Sequence, residues 1–425
     1  VENLKASLPS GALNFVPSIG NEISGSSTLH GFGLSLGAFF SFVAVQWWSS
    51  WYPGSEPGGG GYVAQRMMST RNEKESVWAT LLFQIGHYCV RPWPWIMVGL
   101  CAIVLYSPEI NNPRLQEQLS IESSMEVDES VRQTNAASFL AAHQEITDSE
   151  SEKSVRYFYE PRLGFVFAMR DFLPVGLMGL LLTAFLAAYL STISTQVNWG
   201  ASYLVNDLLL PLTKESSNLN FLRYSRLASI AVMLAGAIAT PFVTSISGVW
   251  EFIMQCGAGL GLVLILRWYW WRINAWSEIS ATIAPLLAYA FCALYLNEKL
   301  GPSWLENNGP FYFTVGFTTI VWIVVTHITP PPSRASIEFF DKRVRPMGVW
   351  PDYIKELSLR NQSLKWMFGG WFSMAATIVF TLFTIGKLIL FETMEAMVYA
   401  ALATLSAFGL RLFLKKTNIL DSNFT

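Results

Sequence analysis

A short polar stretch interrupts a long apolar run near the middle of the chain. Residues 172–190 are almost wholly apolar, and hydroxyl and amide side chains then follow in quick succession from Ser191 to Asn198. Ala188, Ser191 and Thr192 stand at positions i, i+3 and i+4, so they share one face of a helix. The Ala188 carbonyl and the two hydroxyls are neutral oxygen ligands, which suit hard cations. If Thr192 donates its proton elsewhere, the carbonyl keeps a free lone pair, and the spacing then permits a sodium site.

The same spacing also has an ordinary structural explanation. Serine and threonine in membrane helices often donate a hydrogen bond to the carbonyl four residues earlier, and small residues let two helices approach closely. Spacing alone leaves a sodium site and a packing face open as alternatives.

The first apolar run ends in the tryptophan-rich sequence QWWSSW. Gln46, Trp47, Trp48 and Trp51 could line a solute cavity, because aromatic faces suit sugars and other partly apolar solutes. The alternative is that these tryptophans mark the boundary between lipid and water, where tryptophan is enriched.

The second apolar run carries polar side chains that are unusual at membrane depth. Gln84, His87 and Arg91 precede two prolines, Pro92 and Pro94. An arginine at the middle of a bilayer costs about 2.5–3.5 kcal/mol, so it needs a partner. Gln84, His87 and Arg91 are candidates to line a solute pathway, where His87 and Arg91 could meet an anionic group of the solute. Alternatively, Arg91 bonds backbone carbonyls that the prolines release from the helix ladder.

The fifth apolar run begins with Glu251 and Gln255 and continues into the small-residue sequence GAGLG at 257–261. The two polar side chains are candidates for an external gate, although an acid also favours the N-terminal end of a helix on electrostatic grounds alone. The small residues predict tight helix packing.

Apolar helices must position all of these residues, because only 14% of the chain is charged, whereas soluble domains carry about 25% charged residues. A bilayer core of about 30 Å needs about 20 apolar residues in a helix, and lipid offers no partners for unpaired backbone groups. Nine runs meet this requirement: 31–51, 78–106, 172–195, 225–246, 249–271, 278–296, 310–329, 366–390 and 394–414. The sequence therefore predicts an all-α, polytopic membrane helix bundle with about nine transmembrane helices.

Basic residues alternate between the connections of these runs. They concentrate after the first, third, fifth, seventh and ninth runs, whereas the short intervening connections hold almost none, with Lys299 as the exception. The positive-inside rule therefore places those connections and the C-terminus in the cytoplasm, and residues 1–30 outside. The long second connection, 107–171, is polar and acidic, which predicts a mobile external loop; a solute lid is the alternative. Asp171 is a candidate N-cap for the third helix.

Composition and motifs argue against several classes of function. The net charge is −2, so nothing favours nucleic acid as a partner. The four cysteines form no CxxC pair, and the apolar runs hold no HExxH, no GxSxG and no paired carboxylates. The sequence therefore predicts that the protein is not an enzyme. The chain begins with Val1 rather than methionine, from which we expect its N-terminus to be partial.

Several motifs, in order along the chain, resemble one family of transporters. AAYLSTIST followed by ND resembles the eighth core helix of the sodium:solute symporter family, YVAQRMMSTRNEKES its linker after the sixth core helix, and WWRINAWSEISA its junction after the tenth. PGGGGYVAQRMMS and RPWPW resemble a Trp-rich bacterial branch of that family, for which the motifs assign no substrate. The resemblance extends over essentially the whole chain.

The resemblance implies a LeuT-like inverted-repeat transporter core. The first run would match the sixth core helix, which in that fold is broken near the bilayer middle and faces the solute. The family's sodium ligands on the eighth core helix, an alanine carbonyl and two consecutive hydroxyls, fall on Ala188, Ser191 and Thr192. The first five core helices, with the remaining sodium ligands and about half of the solute site, would then be absent, so this chain alone should not transport.

The implied organisation has five parts: an external loop (1–30), core helices of the second repeat including the external loop 107–171 (31–271), additional transmembrane helices (272–329), a cytoplasmic connection (330–365), and C-terminal helices with a short cytoplasmic tail (366–425). The implied function is sodium-coupled symport of a small organic solute across the plasma (bacterial inner) membrane by alternating access. Na⁺ would be the coupling ion, and the solute, sodium and the lipid bilayer would be the partners. A membrane sensor or transceptor module related to symporters is the alternative.

Overall fold

The computed structural model describes residues 2–8, 13–15, 18–19, 33–34, 36–50, 67–123, 129–143, 146, 148–213, 218–243, 246–354 and 364–417. Almost all of this described chain is helical. An exception is a parallel pair of two-residue strands, β1 (Ser18–Ile19) and β2 (Gly33–Leu34).

The helices follow one another with short breaks, and several include π-helical stretches. The first group is α1 (Glu2–Ser7), α2 (Leu36–Phe40) continuing through a π-helix (Ser41–Gln46) into α3 (Trp47–Ser49), and α4 (Glu73–Gln84) continuing through a π-helix (Ile85–Val90) into α5 (Pro92–Tyr106). The second group is α6 (Pro108–Asn111), α7 (Pro113–Ser123), α8 (Glu129–Ala142), α9 (Ser149–Tyr159), α10 (Leu163–Phe172), α11 (Val175–Tyr203) continuing through a π-helix (Leu204–Leu209) into α12 (Leu210–Thr213), and α13 (Asn218–Ala239) with a 3₁₀ turn (Thr240–Phe242). The third group is α14 (Ile246–Cys256), α15 (Leu260–Leu266), α16 (Ala275–Phe291) continuing through a π-helix (Cys292–Leu296) into α17 (Asn297–Leu300), α18 (Pro302–Glu306), α19 (Gly309–Ile328), α20 (Arg334–Val344), α21 (Leu364–Ile389) and α22 (Thr393–Lys416).

Helices that can cross a membrane dominate the fold. Within the described residues, seven are long and apolar enough: Lys74–Tyr106, Val175–Leu212, Phe221–Phe242, Ala275–Leu300, Gly309–Ile328, Leu364–Ile389 and Thr393–Lys416. Gly248–Cys256 and Leu260–Leu266 are together long and apolar enough for a further, broken span, and they are inclined by 45° at the break. The shorter apolar helix Leu36–Ser49, here called the first span, occupies the first predicted run. Each of the nine predicted runs therefore coincides with a helix, and the prediction of a polytopic, all-α membrane protein is confirmed.

The chain divides into two compact units, residues 1–101 with 252–425 and residues 102–251. In the unit 102–251, α11 and α13 form a hairpin that packs around Ala201, Val205 and Ala228. In the other unit, α15, α16 and α19 share a core around Val263, Ala281 and Trp322. α21 and α22 form a second hairpin in that unit.

The acidic connection 107–171 forms helices α6 to α10 where it is described. Helix α9 carries Val155, Phe158 and Tyr159 at positions i, i+3 and i+4, and these side chains pack against Leu119 and Phe139 in a buried core. The prediction of a mobile loop is therefore wrong for the described part of this connection. Although the connection carries many charged residues, its apolar residues are spaced as in amphipathic helices, and their apolar faces pack into a small buried core.

Asp171 lies in the last turn of α10 and does not cap α11, whose N-cap is Pro174. The Asp171 carboxylate accepts hydrogen bonds from Lys153 Nζ at 2.7 Å and from the Tyr106 hydroxyl at 2.8 Å. The hydrogen bond from Lys153 holds the pKa of the Asp171 carboxyl below its usual range, although partial burial opposes it. The prediction of Asp171 as an N-cap is therefore wrong, and its role is to join α5, α9 and α10.

Two hydrogen bonds within the unit 1–101 with 252–425 each join two connections between its apolar helices. The Gly37 N–H, at the start of the first span, donates to Asn307 Oδ1 before α19 at 3.3 Å. The Trp271 N–H, after α15, donates to the Val349 carbonyl after α20 at 3.1 Å. These pairings join connections that the charge pattern assigns to the same side of the membrane, and the cytoplasmic identity of either side stays a prediction.

The chain before the first span is fastened to the turn between α21 and α22 by the N-terminal clasp, which consists of Lys5, Phe15, Lys387, Glu392 and Glu395. Lys5 Nζ pairs with Glu392 at 2.8 Å, and the buried Lys387 pairs with both Glu392 and Glu395. The Lys387 ammonium also lies 4.7 Å from the centre of the Phe15 ring, in cation–π contact. Burial opposes ionisation of Glu392, but the hydrogen bonds from Lys387 and Lys5 outweigh it and hold the pKa of Glu392 below its usual range.

Candidate functional site

The three predicted sodium ligands lie together on α11. Ala188, Ser191 and Thr192 are all exposed, so no described part of the chain covers this face. Thr192 Oγ1 donates a hydrogen bond to the Ala188 carbonyl at 2.9 Å. The condition stated for the site, that Thr192 donates its proton elsewhere, is therefore not met.

Hydrogen bonding within the helix leaves oxygen lone pairs on this face. Thr183 and Thr195 also donate to the carbonyl four residues earlier, at 2.8 and 2.9 Å, so this bond does not distinguish Thr192 from its neighbours. A carbonyl oxygen has two lone pairs, and a hydroxyl keeps its two lone pairs after donating its proton. The face can still present three neutral oxygens to a cation, and the remaining ligands of a full coordination shell must come from other surfaces.

The packing of α11 explains why this face is open. The helix packs against α13 near its C-terminal end, where Ala201 and Val205 are buried and a Cβ on Gly200 would lie 3.2 Å from the Val232 side chain. Thr192 precedes Ala201 by nine residues, which is about 13 Å along a helix axis. The contact between α11 and α13 is thus separate from the residues that could hold an ion.

Two of the four predicted cavity residues line a large apolar cavity in the unit 1–101 with 252–425. The cavity, here called the aromatic groove, has a volume of about 570 Å³. It is lined by Trp47, Trp48, Leu262, Ile265, Tyr269, Leu364, Met367, Phe368 and Trp371. The lining supplied by the described chain has no charged side chain, and the rings of Trp47 and Trp371 lie 5.0 Å apart.

The other members of the tryptophan-rich sequence are placed differently. Gln46 is half-buried and does not line the aromatic groove. Trp51 lies outside the described residues. The indole N–H of Trp48 donates to the Ala44 carbonyl at 2.7 Å, so this ring is fixed by its own helix.

Gln84, His87 and Arg91 lie around the π-helical stretch of the second span. The Arg91 guanidinium donates to His87 Nδ1 at 3.0 Å. Because arginine has no acceptor, His87 must be neutral there and carry its proton on Nε2. His87 stacks on Phe83, with ring centres 5.1 Å apart. Gln84 is half-buried at the end of α4. Arg91 is thus partnered by a side chain, whereas one predicted alternative had it bonded to backbone carbonyls.

The two predicted gate residues lie on α14. The side chain of Glu251 lies outside the described residues. Gln255 is in the last turn of α14, next to the break in the span, and its side-chain oxygen Oε1 is buried. Its position beside the break differs from that expected of a residue at the outer entrance of the helix.

Sequence reasoning missed most of the lining of the aromatic groove. Tyr269, Phe368 and Trp371 come from two distant parts of the chain and meet Trp47 only through packing. Their enrichment at the ends of apolar runs was the available signal, but that pattern also marks ordinary membrane boundaries.

Comparison with known protein families finds a match in the part of the chain that includes α11. Residues 160–284 match the model of the sodium:solute symporter family. The chain is 27% identical over 186 residues to the osmoregulated proline transporter OpuE of Bacillus subtilis (strain 168). This aligned segment is 43% of the present chain and 36% of that transporter. The chain is also 22% identical over 185 residues to the sodium/myo-inositol cotransporter 2 of Homo sapiens. This second aligned segment is 39% of the present chain and 27% of that cotransporter. No solved structure matches.

These matches are narrower than the resemblance seen in the motifs. The matched region spans 36% of the length of the proline transporter and 27% of the length of the myo-inositol cotransporter. The family match includes Ala188, Ser191 and Thr192 but neither the tryptophan-rich sequence nor Arg91. Both relatives are named as transporters rather than enzymes. Residues 160–284 are therefore similar to the sodium:solute symporter family, and part of the chain is similar to two proteins named as transporters.

Proposed function

We propose that this protein carries a small organic solute across a membrane together with sodium. The observation that carries the proposal is the family match over residues 160–284, which contains the oxygen-bearing face of α11. The relatives are named for proline and myo-inositol, an amino acid and a polyol, which supports a small and partly polar solute here.

Sodium would bind at the face formed by Ala188, Ser191 and Thr192. Three neutral oxygens suit an ion that needs no carboxylate, and a polar face on a membrane helix is usually directed toward the protein interior or a water-filled path. Thr192 would keep its hydrogen bond to the Ala188 carbonyl and coordinate the ion through a lone pair of its hydroxyl oxygen.

The solute path would use side chains of the unit 1–101 with 252–425. The aromatic groove offers Trp47 and Trp371 to the apolar face of a solute, and its uncharged lining suits a neutral part of that solute. The His87–Arg91 pair offers the remaining proton of a neutral imidazole and a guanidinium, both hydrogen-bond donors, to a carboxylate or hydroxyl.

The sodium gradient would supply the energy for uphill movement by alternating access. Moving one charge through 100 mV is worth about 2.3 kcal/mol, and each tenfold concentration ratio adds about 1.4 kcal/mol. One sodium ion per solute can therefore support a solute gradient of more than tenfold.

Uptake into vesicles that contain the full-length protein tests this function. Labelled proline, myo-inositol and related small solutes are offered with an inward sodium gradient and with choline in place of sodium. Sodium should accelerate uptake of at least one solute. Equal uptake in sodium and choline for every transported solute would refute the coupling.

A matched pair of threonine variants tests the site. Thr192→Ala should raise the half-saturating sodium concentration about tenfold or more, equivalent to about 1.4 kcal/mol. Thr183→Ala is the control, because Thr183 is exposed on the same helix and makes the same bond to the carbonyl four residues earlier. An unchanged sodium dependence in Thr192→Ala would reject the proposed ligands.

A further inference from the structure

A helix break in the unit 1–101 with 252–425 gathers polar atoms in apolar surroundings. α14 ends at Cys256, α15 begins at Leu260, and the two helices are inclined by 45°. Gly259 allows the break, since its φ of +94° lies in the left-handed region that L side chains rarely adopt. Ala258, in the middle of the break, is fully buried against Phe311.

Three side-chain oxygens around this break are buried without a hydrogen-bond partner in the described chain: Ser49 Oγ, Gln255 Oε1 and Thr318 Oγ1. Ser49 and Thr318 are fully buried. Buried polar atoms are nearly always hydrogen-bonded in native proteins, so three in one neighbourhood require an explanation.

Thr318 differs from the other buried threonines of α19. Thr314 and Thr326 are equally buried, and each donates to the carbonyl four residues earlier, at 2.8 and 2.6 Å. This is the usual way to satisfy a hydroxyl in a membrane helix. Thr318 does not use it, so its hydroxyl remains available to something else.

Backbone contacts bring Ser49 and Thr318 to the same glycine. The Gly259 N–H donates to the Ser49 carbonyl at 3.2 Å. A Cβ on Gly259 would lie 2.8 Å from Cβ of Thr318. Gln255 precedes Gly259 by one helical turn, and its carbonyl accepts from the Ala258 N–H at 3.1 Å. The three unpartnered side chains therefore surround the break between α14 and α15.

The electrostatics of the break favour a cation over an anion. α14 and the first span both end here, and the C-terminal end of a helix carries a partial negative charge. Their approach is fixed by the Ser50 hydroxyl, which donates to the Met254 carbonyl at 3.1 Å. The carbonyls of Cys256 and Ala258 accept none of the backbone hydrogen bonds that cross the break. Unwound carbonyls and helix C-terminal ends are the groups that hold Na⁺ inside membrane transporters.

We propose that this break is a second monovalent-cation site, in which a sodium ion is held by Ser49, Gln255 and Thr318 together with the carbonyl oxygens of Cys256 and Ala258. The proposal rests on the proposed function only for the identity of the ion. All its ligands are neutral oxygens, which suit a hard cation of single charge. The site lies on different helices from Ala188, Ser191 and Thr192, so each ion can be removed without removing the ligands of the other.

Sodium binding to the full-length protein in lipid nanodiscs tests the proposal. Labelled sodium is titrated at equilibrium, and the melting temperature is measured in sodium chloride, potassium chloride and choline chloride. Thr318→Val replaces the hydroxyl with a methyl group of similar size. Thr314→Val is the control, because it makes the same change on the same helix at a hydroxyl that is satisfied within the helix.

Thr318→Val should lose one bound sodium ion, or weaken its binding at least tenfold, and should lose part of the rise in melting temperature that sodium gives to the unchanged protein. Thr314→Val should bind sodium within twofold of the unchanged protein. Ser49→Ala should repeat the result of Thr318→Val, and it carries the test if Thr318→Val does not fold. Sodium binding that is equal in Thr318→Val, Ser49→Ala and Thr314→Val would overturn the proposal. The same outcome is reached if the unchanged protein binds no sodium beyond what Thr192→Ala removes.

These measurements separate the two proposals. If the unchanged protein shows no sodium-dependent uptake but Thr318→Val still removes a bound sodium ion, symport is refuted and the second site stands. If uptake depends on sodium but Thr318→Val does not change sodium binding, symport stands and the second site is refuted.

Discussion

The contact between the first span and α15 predicts a large effect of a single methyl group. Gly261 is buried in the first turn of α15, and a Cβ at this position would lie 2.3 Å from the Trp48 carbonyl oxygen and 2.8 Å from the Ser49 carbonyl oxygen. Backbone atoms cannot rotate away as a flexible side chain can. Gly261→Ala must therefore push the two helices apart.

The size of the effect follows from the required movement. Ordinary contact begins at 3.4 Å, so the helices must separate by about 1 Å. The hydrogen bond from the Gly259 N–H to the Ser49 carbonyl, 3.2 Å long, would then break. Overpacking costs about 1–3 kcal/mol, and the lost hydrogen bond adds about 0.5–1.5 kcal/mol. We expect Gly261→Ala to destabilise the protein by about 2–4 kcal/mol.

Gly316→Ala is the matched control. Gly316 lies within α19 of the same unit, and a Cβ there would meet nothing within 4 Å. Replacing an unhindered helical glycine by alanine stabilises by about 0.5–1 kcal/mol. The two variants make the same chemical change, and they should shift stability in opposite directions.

Thermal unfolding in nanodiscs, followed by tryptophan fluorescence, measures both variants. With an unfolding entropy of about 2.1 cal/mol/K per residue, a chain of this length shifts by roughly 1 °C per kcal/mol. Gly261→Ala should melt about 2–4 °C lower, and Gly316→Ala up to about 1 °C higher. If Gly261→Ala melts at or above the temperature of the unchanged protein, the close approach of the first span to α15 is wrong.

Two further predictions concern ion pairs outside the membrane core. The lowered pKa of Asp171 means that its bond to Lys153 contributes fully above about pH 4 and is lost as the pH falls through the folded-state pKa. The melting temperature of the unchanged protein should therefore fall more steeply below about pH 4 than that of Asp171→Asn, and parallel pH profiles would contradict this. Lys387→Met leaves Glu392 with only Lys5, so it should cost about 1–3 kcal/mol and speed hydrogen exchange in residues 2–8. Unchanged exchange there would show that the clasp does not hold this segment.

The membrane spans were accessible from the sequence because lipid imposes a simple requirement. A run of about 20 apolar residues has few alternatives to a helix in a bilayer, and all nine predicted runs coincide with helices. The small residues at 257–261 were correctly associated with close packing, since Gly261 approaches the first span. The resemblance placed a break in the first span. Within the described residues that helix is continuous from Leu36 to Ser49, and the broken span is the fifth.

The acidic connection shows where overall composition misleads. Its charge obscured the spacing of Val155, Phe158 and Tyr159, which buries one face of α9. Asp171 looked like an N-cap because it precedes an apolar run, but its carboxylate has two stronger partners in space. Tyr106 and Lys153 are 65 and 18 residues from Asp171 in the sequence. The sequence around Asp171 therefore could not predict these two hydrogen-bond partners.

The candidate sites were predicted unevenly for the same reason. Ala188, Ser191 and Thr192 lie within one helical turn, so their shared face follows from helix geometry. Ser49, Gln255 and Thr318 are far apart in the sequence, and only the packing of three helices brings them to one break. The aromatic groove likewise joins Trp47 to Trp371 across most of the chain.

The clasp also sets an order of events during synthesis. Lys5 and its partner Glu392 are 387 residues apart, and a ribosome adds about 5–20 residues per second. Lys5 therefore waits roughly 20–80 s for its partner to be made. The clasp can therefore close only after α21 and the turn that follows it have been synthesised, so its closure comes after the synthesis of every helix from α1 to α21.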